Sequence, residues 1–426
     1  MNSMLRPTPA QLAWQRAGVG VFLHFGLNTF AGVEWSDGTL DPAIFDPSDL
    51  DAGQWVDVAV ELGAAYVVLT AKHHDGFCLW PTRTTDYSVA SSPWRDGRGD
   101  VVAEVADACR RRGIGFGVYL SPWDRHAPEY PDPDAYDELY AAQLTELMTG
   151  YGDLTEVWFD GAGSDGRTYD WAAYMRIVHE HQPGAMVFNM GAPTIRWVGN
   201  EDGLASDPVE YVTDRLALNQ YVTGSDALAE HVYAPPECDV SIRRGWFWHP
   251  DDEPKSVAHL MAIHLQSVGM GAGLLLNLPP DTTGRIDAAD VRRVAEFRAE
   301  LDRRFAGPVH ATLERRAPGV WRVALPQRIE VGQIELREAI ENGQRITRHA
   351  VVAEGRELLV AGTVGVRRIH SIAPIGLSTF EIRADADAEL QAVTVYPHDP
   401  ALIRPELPEG YEAPTDPPDL DPGPAL

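Results

Sequence analysis

Short apolar runs alternate with segments of helical spacing along the first 300 positions of the chain. The runs are rich in Val, Leu, Ile and aromatic residues and end at glycine or polar residues, which is typical of strands buried on both faces. They cover residues 19–26, 66–77, 114–120, 156–161, 186–190, 195–201, 239–242 and 273–278. Amphipathic segments separate most of them, at residues 47–62, 100–112, 135–149, 171–181 and 256–268. Eight strands alternating with helices predict an α/β fold, a (β/α)8 TIM-like barrel with an irregular link between strands six and seven.

The pattern changes after residue 303. Residues 320–325, 328–331 and 357–360 alternate apolar with polar positions, and Gly and Pro turns separate them. Such spacing predicts a smaller antiparallel β-sandwich. The predicted organisation is a barrel over residues 1–303, a β-sandwich-like domain over residues 304–400, and a Pro-rich acidic tail over residues 401–426.

Composition narrows the classes of partner. The 426 residues carry 63 acids against 35 Lys plus Arg, a formal net charge of -28. A chain this acidic is not expected to bind nucleic acid or an anionic membrane surface, because both require clustered cations. Three widely spaced cysteines predict neither a disulfide framework nor a cysteine metal site. The first 15 residues lack a secretory apolar core and no run is long enough to span a membrane, so a cytoplasmic protein is expected. No cofactor is predicted, and the oligomeric state is left open.

Candidate chemistry lies at the predicted strand ends. Residues 156–159 run directly into Asp160 and Gly161, a pair that alone is typical of an ordinary turn. The same end of a barrel strand is also where catalytic groups are mounted. Other strand ends carry imidazole, aromatic and polar groups: His24, His73, His74, Tyr119, Trp123, Trp158, Asn189 and Glu201. Two carboxylates accompanied by aromatic and imidazole side chains favour glycoside hydrolysis, in which one carboxyl donates a proton and the other attacks the sugar.

Two alternatives remain open on the residues alone. His24, His73, His74 and Asp160 are of the types that bind a divalent metal ion, so a metal-dependent barrel hydrolase is the first alternative. Against it, two metal-binding histidines on one strand usually alternate, whereas His73 and His74 are neighbours and share one pocket only if the strand end twists or bulges. The second alternative is a sugar-binding protein without catalysis.

Trp246 and Trp248 lie two positions apart, which suits one face of an extended segment. They are expected either to line the acceptor side of the substrate pocket or to pack between the barrel and the β-sandwich-like domain.

Seven motifs occur in the order in which one known family carries them. They are His24-Phe25-Gly26, Glu34-Trp35, Lys72-His73-His74-Asp75-Gly76-Phe77, Trp158-Phe159-Asp160-Gly161, Arg196-Trp197-Val198-Gly199-Asn200-Glu201, Gly245-Trp246-Phe247-Trp248-His249 and Gly273-Leu274-Leu275-Leu276-Asn277-Leu278-Pro279-Pro280. Together they resemble the α-L-fucosidases of glycoside hydrolase family 29.

The resemblance implies a retaining exo-fucosidase acting on fucosylated oligosaccharides, with Asp160 as nucleophile. It implies Glu201 as general acid/base, because the Trp-Val-Gly-Asn-Glu pattern resembles the subgroup that cleaves α-1,3 and α-1,4 linkages. The residues that the resemblance and the aromatic spacing predict to bind substrate are His24, Glu34, Trp35, His73, His74, Tyr119, Trp158, Arg196 and Trp248.

Overall fold

The computed structural model describes residues 5–164, 166–217 and 225–409. Strands before residue 280 are β1 (Val19–Leu23), β2 (Tyr66–Lys72), β3 (Gly115–Leu120), β4 (Glu156–Trp158), β5 (Met186–Phe188), β6 (Arg196–Trp197), β7 (Val212–Ala217), β8 (Ser225–Tyr233), β9 (Pro236–Ser241) and β10 (Gly273–Asn277). Eight of them form one sheet in the order β5-β4-β3-β2-β1-β10-β9-β6, and every neighbouring pair is parallel. A parallel bridge from Phe188 to Ile195 joins the two ends of the sheet, so the barrel is nearly closed.

Helices accompany these strands, and five of them correspond to the amphipathic segments that the sequence predicts. The helices are α1 (Pro9–Ala17), α2 (Leu27–Ala31), α3 (Ala52–Leu62), α4 (Val101–Arg112), α5 (Pro133–Gly150), α6 (Trp171–His181), α7 (Val257–Gln266) and α8 (Ala288–Arg304). Asp51 and Asp100 cap the N-termini of α3 and α4 through their side chains, and both helices end at a left-handed glycine. These caps place each following strand directly after its helix.

The irregular link predicted between the sixth and seventh barrel strands contains a separate antiparallel hairpin. Strands β7 and β8 pair only with each other, and residues 218–224 between them lie outside the described residues. The sixth barrel strand is shorter than predicted, because only Arg196 and Trp197 pair with β9. Glu201 therefore lies on a loop after the strand rather than within it.

The antiparallel region follows α8. Its strands are β11 (Val309–His310), β12 (Thr312–Ala317), β13 (Val320–Glu338), β14 (His349–Ala353), β15 (Arg356–Ala361), β16 (Arg368–Ala384) and β17 (Leu390–Pro397). They form one sheet with the path β11-β17-β13-β16-β14-β15, and β12 pairs with β13. A separate apolar core packs beneath them around Val323, Ile334 and Val351.

The fold class predicted from the sequence is thereby confirmed: a parallel barrel precedes an antiparallel β-domain. The predicted tail lies outside the described residues from position 410 onward. Among the helices of the described residues, none combines the length and apolar character needed to cross a membrane.

Candidate active site

A cavity opens at the carboxyl ends of the barrel strands, the end at which barrel enzymes carry their catalytic groups. Eight of the residues predicted to form a site line it: His24, Trp35, His73, His74, Tyr119, Trp158, Asp160 and Glu201. They come from β1 to β6 and the segments that follow, so the barrel brings together side chains that are up to 177 positions apart.

The neighbouring histidines reach one cavity because β2 becomes irregular before it ends. Its pairing with β3 shifts register between Thr70 and Lys72, and the strand stops at Lys72. Alternation of side chains across the sheet no longer applies beyond that point. The rings of His73 and His74 then lie 4.2 Å apart, centroid to centroid, on the same side of the barrel.

Asp160 follows β4 and is held by two donors close to it. Its Oδ2 accepts the Tyr119 hydroxyl at 2.9 Å, and its Oδ1 accepts the backbone N–H of Ala162 at 2.8 Å. The Nε2 of His74 lies 3.6 Å from Oδ2. The side chain remains 23% exposed, so the carboxylate faces the cavity and is accessible to a bound sugar.

Glu201 lies in a more buried environment than Asp160. Its Oε2 accepts the Trp246 indole N–H at 3.1 Å. Burial, and next the neighbouring Asp239 carboxyl, raise the pKa of Glu201 well above its ordinary value, while the Trp246 N–H acts in the opposite direction. This shift favours the protonated form of Glu201, the state that a general acid requires.

A hydrogen-bond network fixes the protonation of His24. The Nδ2 group of Asn277 donates to Ser241 Oγ at 3.0 Å and to Trp246 O at 2.8 Å, so its Oδ1 must be the acceptor for His24 Nδ1, 2.9 Å away. Burial lowers the pKa of His24 to about 3. The imidazole is therefore neutral, carries its proton on Nδ1, and has an Nε2 lone pair left to accept a hydrogen bond.

His74 has the same arrangement through a different partner. Ser121 Oγ donates its only proton to Trp123 O at 2.6 Å and therefore accepts the Nδ1–H of His74 at 2.7 Å. Burial lowers the pKa of His74 to about 4, although Asp160 acts in the opposite direction. Its Nε2 is thus a second acceptor beside the nucleophile candidate.

His73 differs from both, because its buried Nδ1 has no hydrogen-bond partner within the described residues. Its ring is parallel to Tyr119 within 13° at 5.8 Å and meets Phe247 edge to face at 5.0 Å. Burial, and then the two neighbouring histidines, hold the pKa of His73 well below its ordinary value. The ring is therefore a neutral polar group enclosed by aromatic side chains.

Trp35 lines the cavity after β1, whereas its neighbour Glu34 is not among the lining residues and contacts the segment that carries Trp246. Glu34 Oε2 accepts the backbone N–H of Trp246 at 2.8 Å, and burial raises the pKa of Glu34 to about 7. A Cβ at position 245 would come within 2.2 Å of Glu34 Oε1, so a larger residue than Gly245 would displace the Glu34 carboxyl. Trp35 meets His74 and Trp123 edge to face at 5.4 and 5.6 Å.

Arg196 and Trp248 are not brought to this cavity. Neighbouring residues of a strand face opposite sides, so on β6 Trp197 points into the cavity and Arg196 points away and donates to Glu210 O at 2.9 Å. The segment carrying Trp246 and Trp248 is not a strand, so its side chains do not alternate. Trp246 lines the cavity, and Trp248 borders a separate groove near Arg243.

Sequence reasoning missed several lining residues that stand inside the barrel: Phe22, Phe188, Trp197 and Asp239. Asp239 is 3% exposed, and its Oδ1 accepts the Trp197 indole N–H at 2.7 Å. The signal for it was a pair of acids, Glu237 and Asp239, within a short barrel strand at residues 236–241. A carboxyl at such a position must be hydrogen-bonded or protonated, because burying a lone charge is costly.

The metal alternative has no geometric support. Across the residues that the structure describes, no group of three or more His, Cys, Asp or Glu side chains is arranged to hold a metal ion. His24 and His74 each commit Nδ1 to a protein partner.

Comparison with known proteins agrees with this geometry. The family model described as alpha-L-fucosidase matches residues 2–302. Alpha-L-fucosidase 1 of Arabidopsis thaliana is 45% identical over 314 residues, which is 70% of this chain and 62% of the plant protein. The chain thus spans about three fifths of that relative's length.

Solved structures extend the similarity into the β-domain. A candidate alpha-L-fucosidase from Bacteroides ovatus is 39% identical with a TM-score of 0.87, covering 94% of this chain and 75% of that one. A Ruminococcus gnavus family 29 fucosidase solved in complex with fucose is 28% identical with a TM-score of 0.82, covering 93% and 95%. With the family model matched across the barrel and the strand-end motifs gathered in one cavity, this chain belongs to the alpha-L-fucosidase family, glycoside hydrolase family 29.

Proposed function

We propose that this protein is a retaining exo-α-L-fucosidase in which Asp160 is the nucleophile and Glu201 the general acid/base. The observation that carries the proposal is the contrast between the two carboxyls of one cavity. Asp160 is partly exposed and accepts two hydrogen bonds, whereas burial raises the pKa of Glu201 and so favours its protonated form. Such a division between two carboxyls is what glycoside hydrolysis requires.

The reaction proceeds in two steps. In the first, Asp160 attacks the anomeric carbon while Glu201 gives its proton to the glycosidic oxygen, so the C–O bond breaks and the aglycone leaves as an alcohol. In the second, the Glu201 carboxylate takes a proton from water, whose oxygen attacks the same carbon and releases Asp160. Two inversions retain the configuration, and the enzyme is restored.

The neutral histidines suit a sugar rather than an ion. His24 and His74 each offer an Nε2 lone pair to a hydroxyl group, and His73 adds a polar Nδ1 without a protein partner. Beneath them, Trp158 stacks between Tyr119 and Phe188 at centroid distances of 5.4 and 3.8 Å. This aromatic layer closes the base of the cavity, which favours a terminal sugar over an internal one.

The preferred substrate in this proposal is fucose linked α-1,3 or α-1,4 on a branched oligosaccharide. The basis is the resemblance of residues 197–201 to the subgroup with that preference. The fucose complex of the Ruminococcus gnavus relative supports the sugar itself.

The test compares an aryl α-L-fucoside with an α-1,3/1,4-fucosylated trisaccharide, using wild type and Glu201→Ala in the presence of a chelator. An aryl leaving group needs little protonation, so Glu201→Ala should lower kcat/KM on the trisaccharide by about 10²–10⁴-fold and spare the aryl substrate. Proton NMR of the first product should show the α-anomer.

Four results would contradict parts of the proposal. Hydrolysis of neither substrate by wild type would remove the fucosidase assignment, and activity abolished by the chelator would restore the metal alternative. Equal losses on both substrates in Glu201→Ala would remove Glu201 from the role of acid. An initial β-anomer would indicate inversion.

A further inference from the structure

The general acid candidate stands on a loop that leaves the barrel after β6. This Glu201 loop covers residues 198–206 and follows Trp197, the last residue of β6. Asn200 shapes it internally, since its Nδ2 donates to Leu204 O at 2.8 Å and its Oδ1 accepts the N–H groups of Asp202 and Leu204. Ala205 N donates to Gln266 O on α7 at 2.9 Å. The loop is thus compact, and its position depends on what holds its far end.

The far end is bound both by the barrel and by side chains of the β-domain. In the barrel, Arg196 donates to Glu210 O, and Gly271 O accepts the Tyr211 hydroxyl. Residues 207–211, here called the anchor segment, directly follow the Glu201 loop. Gln344 Oε1 accepts Tyr211 N and its Nε2 donates to Val209 O, both at 2.9 Å, and Thr363 Oγ1 accepts Val209 N at 2.9 Å. Side chains of the β-domain therefore satisfy both backbone groups of Val209, which is only 3% exposed.

A charged contact also joins the anchor segment to the β-domain. The Arg368 guanidinium donates to both oxygens of Asp207, at 3.2 and 2.8 Å, and Gly362 N donates to Asp207 Oδ2 at 3.1 Å. Although partial burial disfavours the ion, these donors hold the pKa of Asp207 below its ordinary value. Bidentate arginine pairing fixes orientation as well as distance.

The β-domain loops that make these contacts are themselves tied together. Glu338, at the end of β13 and 2% exposed, accepts the backbone N–H groups of Arg345 and Ile346 from one loop and of Gly365 from the other, the last two at 2.9 and 3.1 Å. One buried carboxylate thus joins the loop carrying Gln344 to the loop carrying Thr363.

We infer that the β-domain positions the general acid: Gln344, Thr363 and Arg368 form a clamp on the anchor segment that sets where Glu201 lies in the cavity. The inference rests on the proposed role of Glu201. These three are positioning residues, since they contact the anchor segment rather than the cavity. Asp160 has no such dependence, because its donors are Tyr119 and Ala162.

The test is Gln344→Leu, which removes both hydrogen bonds while keeping the approximate volume, measured as kcat/KM on the trisaccharide and on the aryl fucoside. kcat/KM reports the first step, in which only the trisaccharide needs the acid. A displaced acid should lower the ratio of trisaccharide to aryl kcat/KM by about 10- to 100-fold. The matched control is Gln333→Leu, the same change at a buried glutamine of β13 that bonds Ser371. It should keep the wild-type ratio.

Asp207→Asn provides a second variant if Gln344→Leu does not fold, and it should lower the ratio in the same direction. An unchanged ratio in both Gln344→Leu and Asp207→Asn, or equal losses on both substrates, would overturn the inference and leave the clamp a purely structural contact. The proposed function fails separately, since it requires wild type itself to hydrolyse both substrates.

Discussion

The two sides of the cavity are built differently. Asp160 is held by neighbours within the barrel, the strand residue Tyr119 and the N–H group two positions away. Glu201 is held by Trp246, 45 positions later, and its loop ends on a segment bound to the β-domain more than 130 positions away. The position of the Asp160 carboxyl therefore follows from the parallel sheet. The position of the Glu201 carboxyl depends on tertiary contacts between the barrel and the β-domain.

The largest expected effect tests the Asp160 side. Asp160→Asn should lower kcat/KM at least about a thousandfold on aryl fucoside and trisaccharide alike, because both substrates need the nucleophile. Steady-state kinetics on the two substrates provide the measurement. The control is Asp153→Asn, the same change at an exposed site just before β4, which should keep wild-type activity. A substantial residual rate in Asp160→Asn would assign the attack to another carboxyl, with Asp239 the first candidate.

The next effect compares the two sides through their hydrogen-bond donors. Tyr119→Phe removes the O–H that orients Asp160 and should lower kcat/KM about tenfold on both substrates, leaving their ratio unchanged. Trp246→Phe removes the N–H on Glu201 and should lower the ratio about three- to tenfold, because the aryl substrate needs the acid less.

The pH profile separates the same two variants. The Trp246 N–H lowers the pKa of Glu201, so its loss should raise that pKa and move the descending basic limb on the trisaccharide to higher pH. Tyr119→Phe should leave this limb in place. A shift in Tyr119→Phe, or none in Trp246→Phe, would show that the limb reports a group other than Glu201.

The same difference explains what the sequence could predict. Strand ends of a parallel barrel meet at one edge, so the apolar runs predicted that His24, His73, Tyr119 and Asp160 lie at one rim. Periodicity alone could not show that their side chains converge on one cavity. From the sequence, His73 and His74 can share one pocket only if the strand end is irregular, and the end of β2 is irregular.

The remaining features depended on distant contacts. Only two residues of the predicted sixth strand, Arg196 and Trp197, pair with the sheet, and they face opposite sides of it. Nothing in the local sequence pattern indicates that Trp197 faces inward and Arg196 outward. The side chains of Trp246 and Trp248 lie in different sites because their segment is held by a hydrogen bond to Glu34 rather than by strand pairing. The contacts of Gln344 and Thr363 with the anchor segment leave no periodic signal at all.

Beneath both sides lies a carboxyl pair that belongs to the barrel interior. Glu237 accepts the Tyr66 hydroxyl at 2.6 Å on one oxygen and the Trp158 indole N–H at 3.2 Å on the other. Glu156 Oε2 accepts the Trp14 indole N–H at 3.1 Å. Its other oxygen has no hydrogen-bond donor in the described part of the chain and faces Glu237. Two carboxyls this close cannot both be ionised at low cost, so one of them carries a proton. That proton belongs on Glu156, whose pKa is raised well above its ordinary value by burial and then by Glu237.

The smallest effect should come from Glu156→Gln, which tests this layer without altering either side of the cavity. Above the unfolded pKa of the carboxyl, folded Glu156 keeps a proton that the unfolded chain has released, so wild-type stability falls as pH rises toward the folded pKa. A glutamine keeps the acceptor for Trp14 and donates an N–H to Glu237 at every pH. Its Tm should exceed that of wild type by about 2–4 °C at pH 8, with a smaller difference at pH 5 and an unchanged substrate ratio.

Glu237→Gln is the matched control for this change. Glu237 accepts hydrogen bonds on both oxygens, and an amide with one acceptor must place its NH₂ against the Tyr66 hydroxyl or the Trp158 indole. It should therefore lower Tm at both pH values, and through Trp158 it should weaken binding of both substrates. The reverse order, with Glu237→Gln tolerated and Glu156→Gln destabilised, would place the proton on Glu237. A changed substrate ratio in Glu156→Gln would show that the barrel interior, and not the β-domain alone, sets the position of Glu201.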